Sequence, residues 1–415
     1  MRNLRIGLLL GLRQIQRANK WTTLLIIFVM MLTFLNLIAV SGVLVGLIEG
    51  AERAVRAESL GDLIITSKDG EEQILETEAI VRELSAYPEI ASFSVRHRSG
   101  AVLEANYKER RNLTAERDTA SVTVTGIDPL QEDIFSNLSK NILEGEYIDP
   151  TQEGYILIGA FYIDRYAEQF GDIFDSLEGI RPDDTVRMTV GNISKEFIVK
   201  GIVQSKVDEV SLNTYIPERE FRRVFGRIDR NADQIVIKVT PQITEASLKQ
   251  SLVASGLDSF AKIQTYDEAK PKFITDIKNT MNLLGRFIGS IGIVVASITI
   301  FIIIFINAIS RRQQIGILKG IGIERRALEI AYVIQAAFYA LAGSLLGALF
   351  TYGFLIGYFE RNPIKFPFSD GILVAPPEET FIRFIILFIV TLIAGLLPAW
   401  LISRQNTLNS ILGRK

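Results

Sequence analysis

The sequence predicts a membrane protein with four transmembrane α-helices and a large α+β extracytoplasmic domain between the first and second. Three observations carry that expectation. Four uncharged apolar runs cover Trp21 to Ile48, Phe287 to Ser310, Ile330 to Phe359 and Phe384 to Ser403. Lys and Arg gather in the short segments beside these runs, and the stretch after the first run alternates strand-like and helix-like patterns.

Each run reaches the roughly 20 residues that a helix needs to cross about 30 Å of hydrocarbon. The first is about twice the 7 to 15 apolar residues of a signal-peptide core, and no small-x-small cleavage pattern follows it directly, so it reads as a retained crossing. Orientation follows from Lys and Arg, which resist translocation in short loops. Arg2, Arg5, Arg13, Arg17 and Lys20 precede the first run; Arg311, Arg312, Lys319, Arg325 and Arg326 lie between the second and third; Arg404, Arg414 and Lys415 follow the fourth. These segments are expected in the cytoplasm, with both termini, in an inner-membrane, multi-pass chain.

The expected order is then a cytoplasmic amphipathic helix over 1–20, crossings over 21–48, 284–310, 330–359 and 384–403, an extracytoplasmic domain with stalk helices over 49–283, a cytoplasmic connection over 311–329, an outside loop over 360–383 and a cytoplasmic tail over 404–415. Within 1–20, Leu4, Leu8, Leu12 and Ile15 recur at three and four residues, the spacing of a helix lying in the membrane surface. In the outside domain, strands are expected at Asp62 to Thr66, Ala101 to Asn106, Ser121 to Thr125, Thr185 to Val190, Glu196 to Val203, Asn213 to Ile216 and Gln234 to Val239. Helices are expected at Glu76 to Ala86, Ala160 to Phe170, Glu218 to Phe225 and Thr244 to Ser255, with a subdomain break near Gly145 to Gly154 where Gly and Pro cluster. Glu49 to Leu60 has no Pro, and Tyr266, Ala269, Phe273, Ile277, Met281 and Leu284 form an apolar stripe, so both connections to the membrane read as helical stalks.

Composition excludes several function classes. With 45 Lys and Arg against 47 Asp and Glu, the net charge of −2 gives no support to a nucleic-acid partner. The absence of cysteine removes disulfides and thiolate metal sites. The single histidine, His97, stands between Arg96 and Arg98 and reads as an exposed strand residue, without partners for a metal site or a catalytic triad. No ionisable residue falls inside the four runs, which weighs against ion channels, proton-coupled carriers and intramembrane enzymes. The crossings carry small residues four apart: Gly42 and Gly46, Gly285 and Gly289, Gly343 and Gly347, Gly353 and Gly357, a spacing that lets helix backbones approach closely.

After the second run stands Arg311-Arg312-Gln313-Gln314-Ile315-Gly316-Ile317-Leu318-Lys319-Gly320-Ile321-Gly322. This stretch resembles the permease family of MacB, FtsX and the lipoprotein-releasing (LolC/LolE-like) transporters, the type VII or mechanotransmission ABC permeases. The resemblance extends to the order of segments along the whole chain, and to Val124-Thr125-Gly126-Ile127-Asp128-Pro129, Leu143-Glu144-Gly145-Glu146-Tyr147, Phe197-Ile198-Val199-Lys200-Gly201-Ile202-Val203 and Asn213-Thr214-Tyr215-Ile216-Pro217, which are similar to recurrent stretches of the family's MacB-like core domain.

The resemblance implies a cytoplasmic coupling helix that docks on a separate ABC ATPase subunit through Arg311, Arg312, Gln314, Ile315, Gly316, Leu318, Lys319 and Gly322. Gln314 stands where the family usually has Glu, so a hydrogen bond replaces a salt bridge there. An apolar row of Ile315, Leu318 and Ile321, rimmed by Arg311, Arg312 and Lys319, independently suits a helix laid into a partner's groove. No Gly-x-x-x-x-Gly-Lys-Ser/Thr is present, so ATP and Mg are expected on the partner and this chain is expected to be non-catalytic. The resemblance further implies a second permease copy, identical or paralogous, contact with membrane lipids, and an extracytoplasmic lipoprotein, chaperone or cell-wall hydrolase as a further partner. Transport of lipoproteins or other amphiphiles is the leading expectation; an FtsX-like regulator that gates an outside hydrolase is the alternative.

Overall fold

The computed structural model describes residues 2–108, 117–168, 175–310, 312–366, 369–371 and 373–403. Its principal helices, in chain order, are α1 (Arg2–Gln16), α2 (Lys20–Val55), α3 (Thr77–Leu84), α4 (Pro129–Ser136), α5 (Glu218–Val224), α6 (Glu245–Ala254), α7 (Lys272–Ser310), α8 (Arg312–Gly320), α9 (Arg325–Phe350) and α10 (Pro377–Ser403). The strands of its large sheet are β1 (Leu63–Thr66), β2 (Ile90–Glu104), β3 (Thr119–Ile127), β4 (Ile142–Gly145), β5 (Tyr155–Gly159), β6 (Thr185–Val190), β7 (Ile193–Val203), β8 (Asn213–Pro217), β9 (Gln234–Val239) and β10 (Lys262–Thr265). The described residues form two compact units, one drawn from Met1–Glu49, Asp276–Phe366 and Asp370–Lys415, the other from Gly50–Thr275 with Pro367–Ser369.

The first unit is a helical bundle. Among the described residues, four helical stretches are long and apolar enough to cross a membrane: Lys20–Leu60, Ile274–Ile306, Arg325–Arg361 and Pro377–Leu401. They are apolar on both sides, as lipid requires. Met30, Phe34, Ile304, Tyr332, Tyr339 and Leu387 pack inward, while Leu24, Phe28, Val294, Leu345 and Ile393 stay exposed. The chain is thus a membrane protein whose α+β domain lies between its first and second transmembrane helices.

Small residues set the helix spacing. A Cβ on Gly343 would stand 2.3 Å from the Met30 Cβ, and one on Gly347 would stand 2.8 Å from Phe34 Cδ1, so α9 lies against α2 at a distance that only glycine permits. Gly395 on α10 meets Ala336 on α9 in the same manner, at 2.6 Å. The amphipathic α1 packs through Gly7 and Gly11, whose Cβ positions fall 2.7 Å from Ile330 Cγ2 and 3.0 Å from the Ala331 carbonyl. Leu4, Leu8 and Leu12 remain exposed.

In the second unit, β2, β3, β8, β5, β7 and β6 pair in sequence and β6 returns to β2, closing a six-stranded barrel. Two of its contacts, β3 with β8 and β5 with β7, are parallel. Alternate residues fill the interior, among them Leu103, Val124, Ile156, Met188, Phe197 and Val199. The N-terminal half of β2 also pairs with β9, which continues through β1 to β10, and α3 and α6 supply Ile80, Leu84, Leu248 and Leu252 to a second core on that sheet.

The strand β2 therefore belongs to both layers, and the two cores divide along it. Pairing runs on through Gly145, which faces Gly201, so the subdomain break expected near Gly145 to Gly154 is not there. The helix expected at Ala160 to Phe170 is a tight turn over Ala160–Tyr162 and one helical turn over Asp164–Ala167; residues 169–174 lie outside the described residues.

Shared use of β2 also overturns the reading of His97 as exposed. It is 1% exposed, with Nε2 3.6 Å from Glu218 Oε1. Its neighbour Arg96 is buried as well, and its guanidinium donates to both carboxylate oxygens of Glu132, at 2.9 and 2.7 Å, and to the Ser59 carbonyl at 2.6 Å. Ser94 adds a third bond to Glu132, at 2.7 Å. Burial alone would lift the Glu132 pKa, but the Arg96 charge and these hydrogen bonds hold it below the ordinary carboxylate range.

Ser59 belongs to the π-helical turn Arg56–Leu60 that follows directly on α2. Each polar group of that turn meets a different part of the sheet unit. Arg56 bonds Asp62 and Glu245, Glu58 accepts from Asn141 and Ser205, and Ser59 donates to Glu209 at 2.6 Å.

Glu132→Leu leaves the buried Arg96 charge unpaired and should cost about 3–5 kcal/mol, whereas Arg96→Met/Glu132→Leu should recover most of it, since an apolar pair of similar volume is often neutral. Denaturant unfolding of the detergent-purified chain, followed by its far-ultraviolet dichroism, measures both. Because the folded pKa of Glu132 is the lower one, its contribution is complete above the unfolded value of about 4.3 and disappears as pH falls through the folded value. Gly343→Leu should overpack the α2–α9 contact and cost at least about 1–3 kcal/mol. Gly353→Leu should be nearly neutral, because a Cβ there meets nothing within 4 Å.

Candidate coupling site

The stretch singled out in the sequence forms α8, a helix of 9 residues between α7 and α9. Residue 311 lies outside the described residues, so Arg311 has no place in this geometry. Arg312 opens the helix. Its end follows from Gly322, whose φ of +94° lies in the left-handed region. There the Gly322 amide donates to the Lys319 carbonyl at 3.1 Å, and the Ile323 amide donates to the Leu318 carbonyl at 3.0 Å. A Cβ-bearing residue at 322 would be strained, which gives this glycine of the motif a structural role.

The helix has two apolar faces with different surroundings. Ile315 is 4% exposed and packs in the same cluster as Leu328, Tyr332 and Ile304; Leu318 and Ile323 lean on that cluster, and Gly316 is buried. On the other side, Gln313 and Gln314 are exposed, and Ile317 and Ile321 are 54% and 72% exposed. The residues 313, 314, 317, 320 and 321 follow each other at helical spacing and make one outward strip.

This arrangement corrects the expected apolar row. Ile315 and Leu318 hold α8 to the bundle, while Ile321 faces outward with Ile317, a residue the sequence reading did not select. The signal was available in the i, i+4 spacing of Ile317 and Ile321, but spacing alone does not say which of two apolar faces is covered. Lys319 is half-buried; burial and the neighbouring Arg325 push its ammonium pKa down. Arg325 pairs with Glu329 at 2.9 Å in the first turn of α9.

Of the glycines expected at helix contacts, Gly42 meets the Val374 carbonyl, 2.5 Å from its Cβ position, and accepts a hydrogen bond from the Val374 amide at 3.1 Å. Gly46 is buried on α2, and Gly285 faces Ser41 at 3.1 Å. Gly343 and Gly347 lie in the α2–α9 seam already described, while Gly353 and Gly357 meet nothing within 4 Å. Gly7, Gly11 and Gly395 were missed. The first pair has the same spacing of four but lies in a segment read only as a surface helix.

The last long helix starts at Pro377, not Phe384, so Arg383 lies on it, bonded to Ser41 Oγ at 2.8 Å and to Glu379 at 2.7 Å.

Residues 286–407 match the family model "FtsX-like permease C-terminal". The chain is 23% identical over 211 residues to the macrolide export ATP-binding/permease protein MacB of Campylobacter jejuni, covering 47% of this chain and 32% of that protein. It is 23% identical over 224 residues to the MacB of Burkholderia thailandensis, covering 52% of this chain and 33% of that protein. It thus spans about a third of the length of these curated relatives. Among solved structures, the periplasmic region of MacB from Actinobacillus actinomycetemcomitans matches at a TM-score of 0.35 and 18% identity, over 51% of this chain and 92% of that one. The extracellular domain of the transporter YknZ from Gram-positive bacteria matches at a TM-score of 0.32 and 11% identity, over 49% and 98%. The family match spans the second to fourth of the long apolar helices, and over that part of its length the chain is similar to FtsX-like permeases, as it is to the permease portion of the MacB relatives.

Proposed function

We propose that this chain is the membrane subunit of an ABC complex in which a separate ATPase binds ATP and Mg, and that two permease copies pass the resulting motion to their extracytoplasmic domains. The observation that carries this reading is α8, pinned to the bundle by Ile315 while it presents Gln314, Ile317 and Ile321 outward. An apolar pair on a short helix outside the spanning segments, rimmed by amides, suits a groove on a soluble partner. The relatives' printed names join ATP binding to a permease, and this chain matches about a third of their length without containing a P-loop of its own.

In this reading α8, both termini and the ATPase are cytoplasmic, following the basic residues beside the crossings. Movement of α8 passes to α7, a single helix from Lys272 to Ser310, because bending such a helix costs hydrogen bonds or packing. Work is then delivered to a lipoprotein or another amphiphile outside the membrane, with no charged path through the bundle interior.

Affinity capture of the tagged full chain from its native membranes should recover a polypeptide bearing a P-loop. Ile317→Asp/Ile321→Asp should lose at least about 90% of that companion, with the thermal unfolding midpoint of the purified chain nearly unchanged. In contrast, Ile315→Asp places a carboxylate in the bundle cluster and should destabilise the chain by about 3 kcal/mol or more before any docking defect can be read. Undiminished recovery of the companion by the Ile317/Ile321 variant would remove α8 as the docking element.

A further inference from the structure

The spanning helices line an open recess of about 650 Å³ that the coupling reading does not use. Phe34 of α2 lies in its wall, with Phe338 and Leu345 of α9 and Phe381 and Phe384 of α10. The volume falls within the roughly 300–1,000 Å³ typical of small-molecule sites, and the mixture of aromatic walls with a few hydroxyls matches their usual chemistry. Gly347 makes the recess possible in part. Its missing Cβ admits the Phe34 ring, which is 1% exposed.

One end of the recess is polar. Directly after α9 the chain makes a π-helical turn, Thr351–Leu355, a distortion that recurs at functional sites. Tyr352 lies in that turn, and its hydroxyl bonds the Ala375 carbonyl and Thr380 Oγ, each at 3.0 Å. The residues after Ala375 are Pro376 and Pro377, which bring no amide hydrogens of their own. Two hydroxyls are therefore fixed side by side at the start of α10, next to a wall of phenylalanine.

We propose that this recess binds one hydrocarbon chain of a membrane amphiphile, with the polar end of the molecule at Tyr352 and Thr380. The walls are on helices long and apolar enough to cross a membrane, so hydrocarbon is the medium that reaches them. A slender chain can lie in the recess along its length, against the aromatic and aliphatic side chains that line it. The site needs no ATPase, so chain binding and nucleotide-driven coupling stand or fall separately.

The test uses the full chain in nanodiscs containing phosphatidylcholine with a diazirine on one acyl chain. After photolysis, mass spectrometry should find labelling at Leu345 and Phe381 at least about threefold above that at Leu24 and Phe28, exposed apolar residues of α2. Ala348→Trp, which fills the recess, should remove the excess and leave labelling at Leu24 and Phe28 unchanged. If that variant does not fold, excess unlabelled long-chain lysophosphatidylcholine should suppress the label at Leu345 and Phe381 selectively. Equal labelling at all four positions, or no selective suppression, would show ordinary boundary lipid and overturn the proposal. The chain has no cysteine, so Leu345→Cys introduces a single thiol. A disulfide-linked dimer formed efficiently through it would show a second copy at the recess and would overturn the proposal too.

Discussion

The fold of the sheet unit depends on one strand serving two layers. Because β2 is a wall of the closed barrel and also carries the β9-β1-β10 strands on its N-terminal half, its middle lies between the two layers, with α4 over Arg96 and α5 over His97. Charged residues there have no route to water, and an unpaired buried charge is far costlier than a paired one. The sequence nevertheless places Arg96 and His97 at that point. Glu132 of α4 answers Arg96 as an ion pair, and Glu218 of α5 lies 3.6 Å from His97 Nε2, so polar contacts as well as apolar faces tie the two helices to the strand. Arg96 also donates through Nη1 to the Ser59 carbonyl, which fixes the turn that follows α2. A buried pair of this kind contributes less to net stability than to the choice of one arrangement, because any shift of the turn would leave an ionised group without a partner.

How much of this was legible in the sequence follows the range of the forces involved. Spanning helices announce themselves because lipid demands long uncharged runs, a requirement each segment meets alone. The strands at Thr185 to Val190 and Gln234 to Val239 carry their own alternation and match their observed bounds. Closure of the barrel does not show, because it depends on β6 returning to β2 and on parallel pairing of β5 with β7, contacts between residues far apart in the chain. The same limit explains His97. Its flanking arginines suggest solvent, and only the packing of Phe221 and Glu218 of α5 against it reveals that it is covered.

The candidate coupling site shows the limit at closer range. The motif located α8, and Gly322 gave its end a conformational reason, yet the sequence misassigned the helix's faces. Both rows, Ile315 with Leu318 and Ile317 with Ile321, satisfy helical spacing. What distinguishes them is the packing of Leu328, Tyr332 and Ile304 around Ile315, which belongs to other helices. The glycines behave alike: a spacing of four permits close approach, but Gly343 and Gly347 have Met30 and Phe34 opposite them, while Gly353 and Gly357 have nothing within reach.

The two faces of α8 give the coupling reading its mechanical content. A helix held only by its ends would yield to a push on its outer face by rolling or bending. Ile315 prevents that by sitting in a cluster that includes residues of α7, α9 and α10, so displacement of the outer face moves a packed set of side chains. Close-packed interiors resist compression and transmit strain. Force applied at Ile317 and Ile321 is therefore shared among several helices of the bundle, with α7 the one that continues toward the sheet unit's sequence without a break. Rigidity within the bundle does not need charged residues along its axis, so the proposed coupling runs through shape and packing.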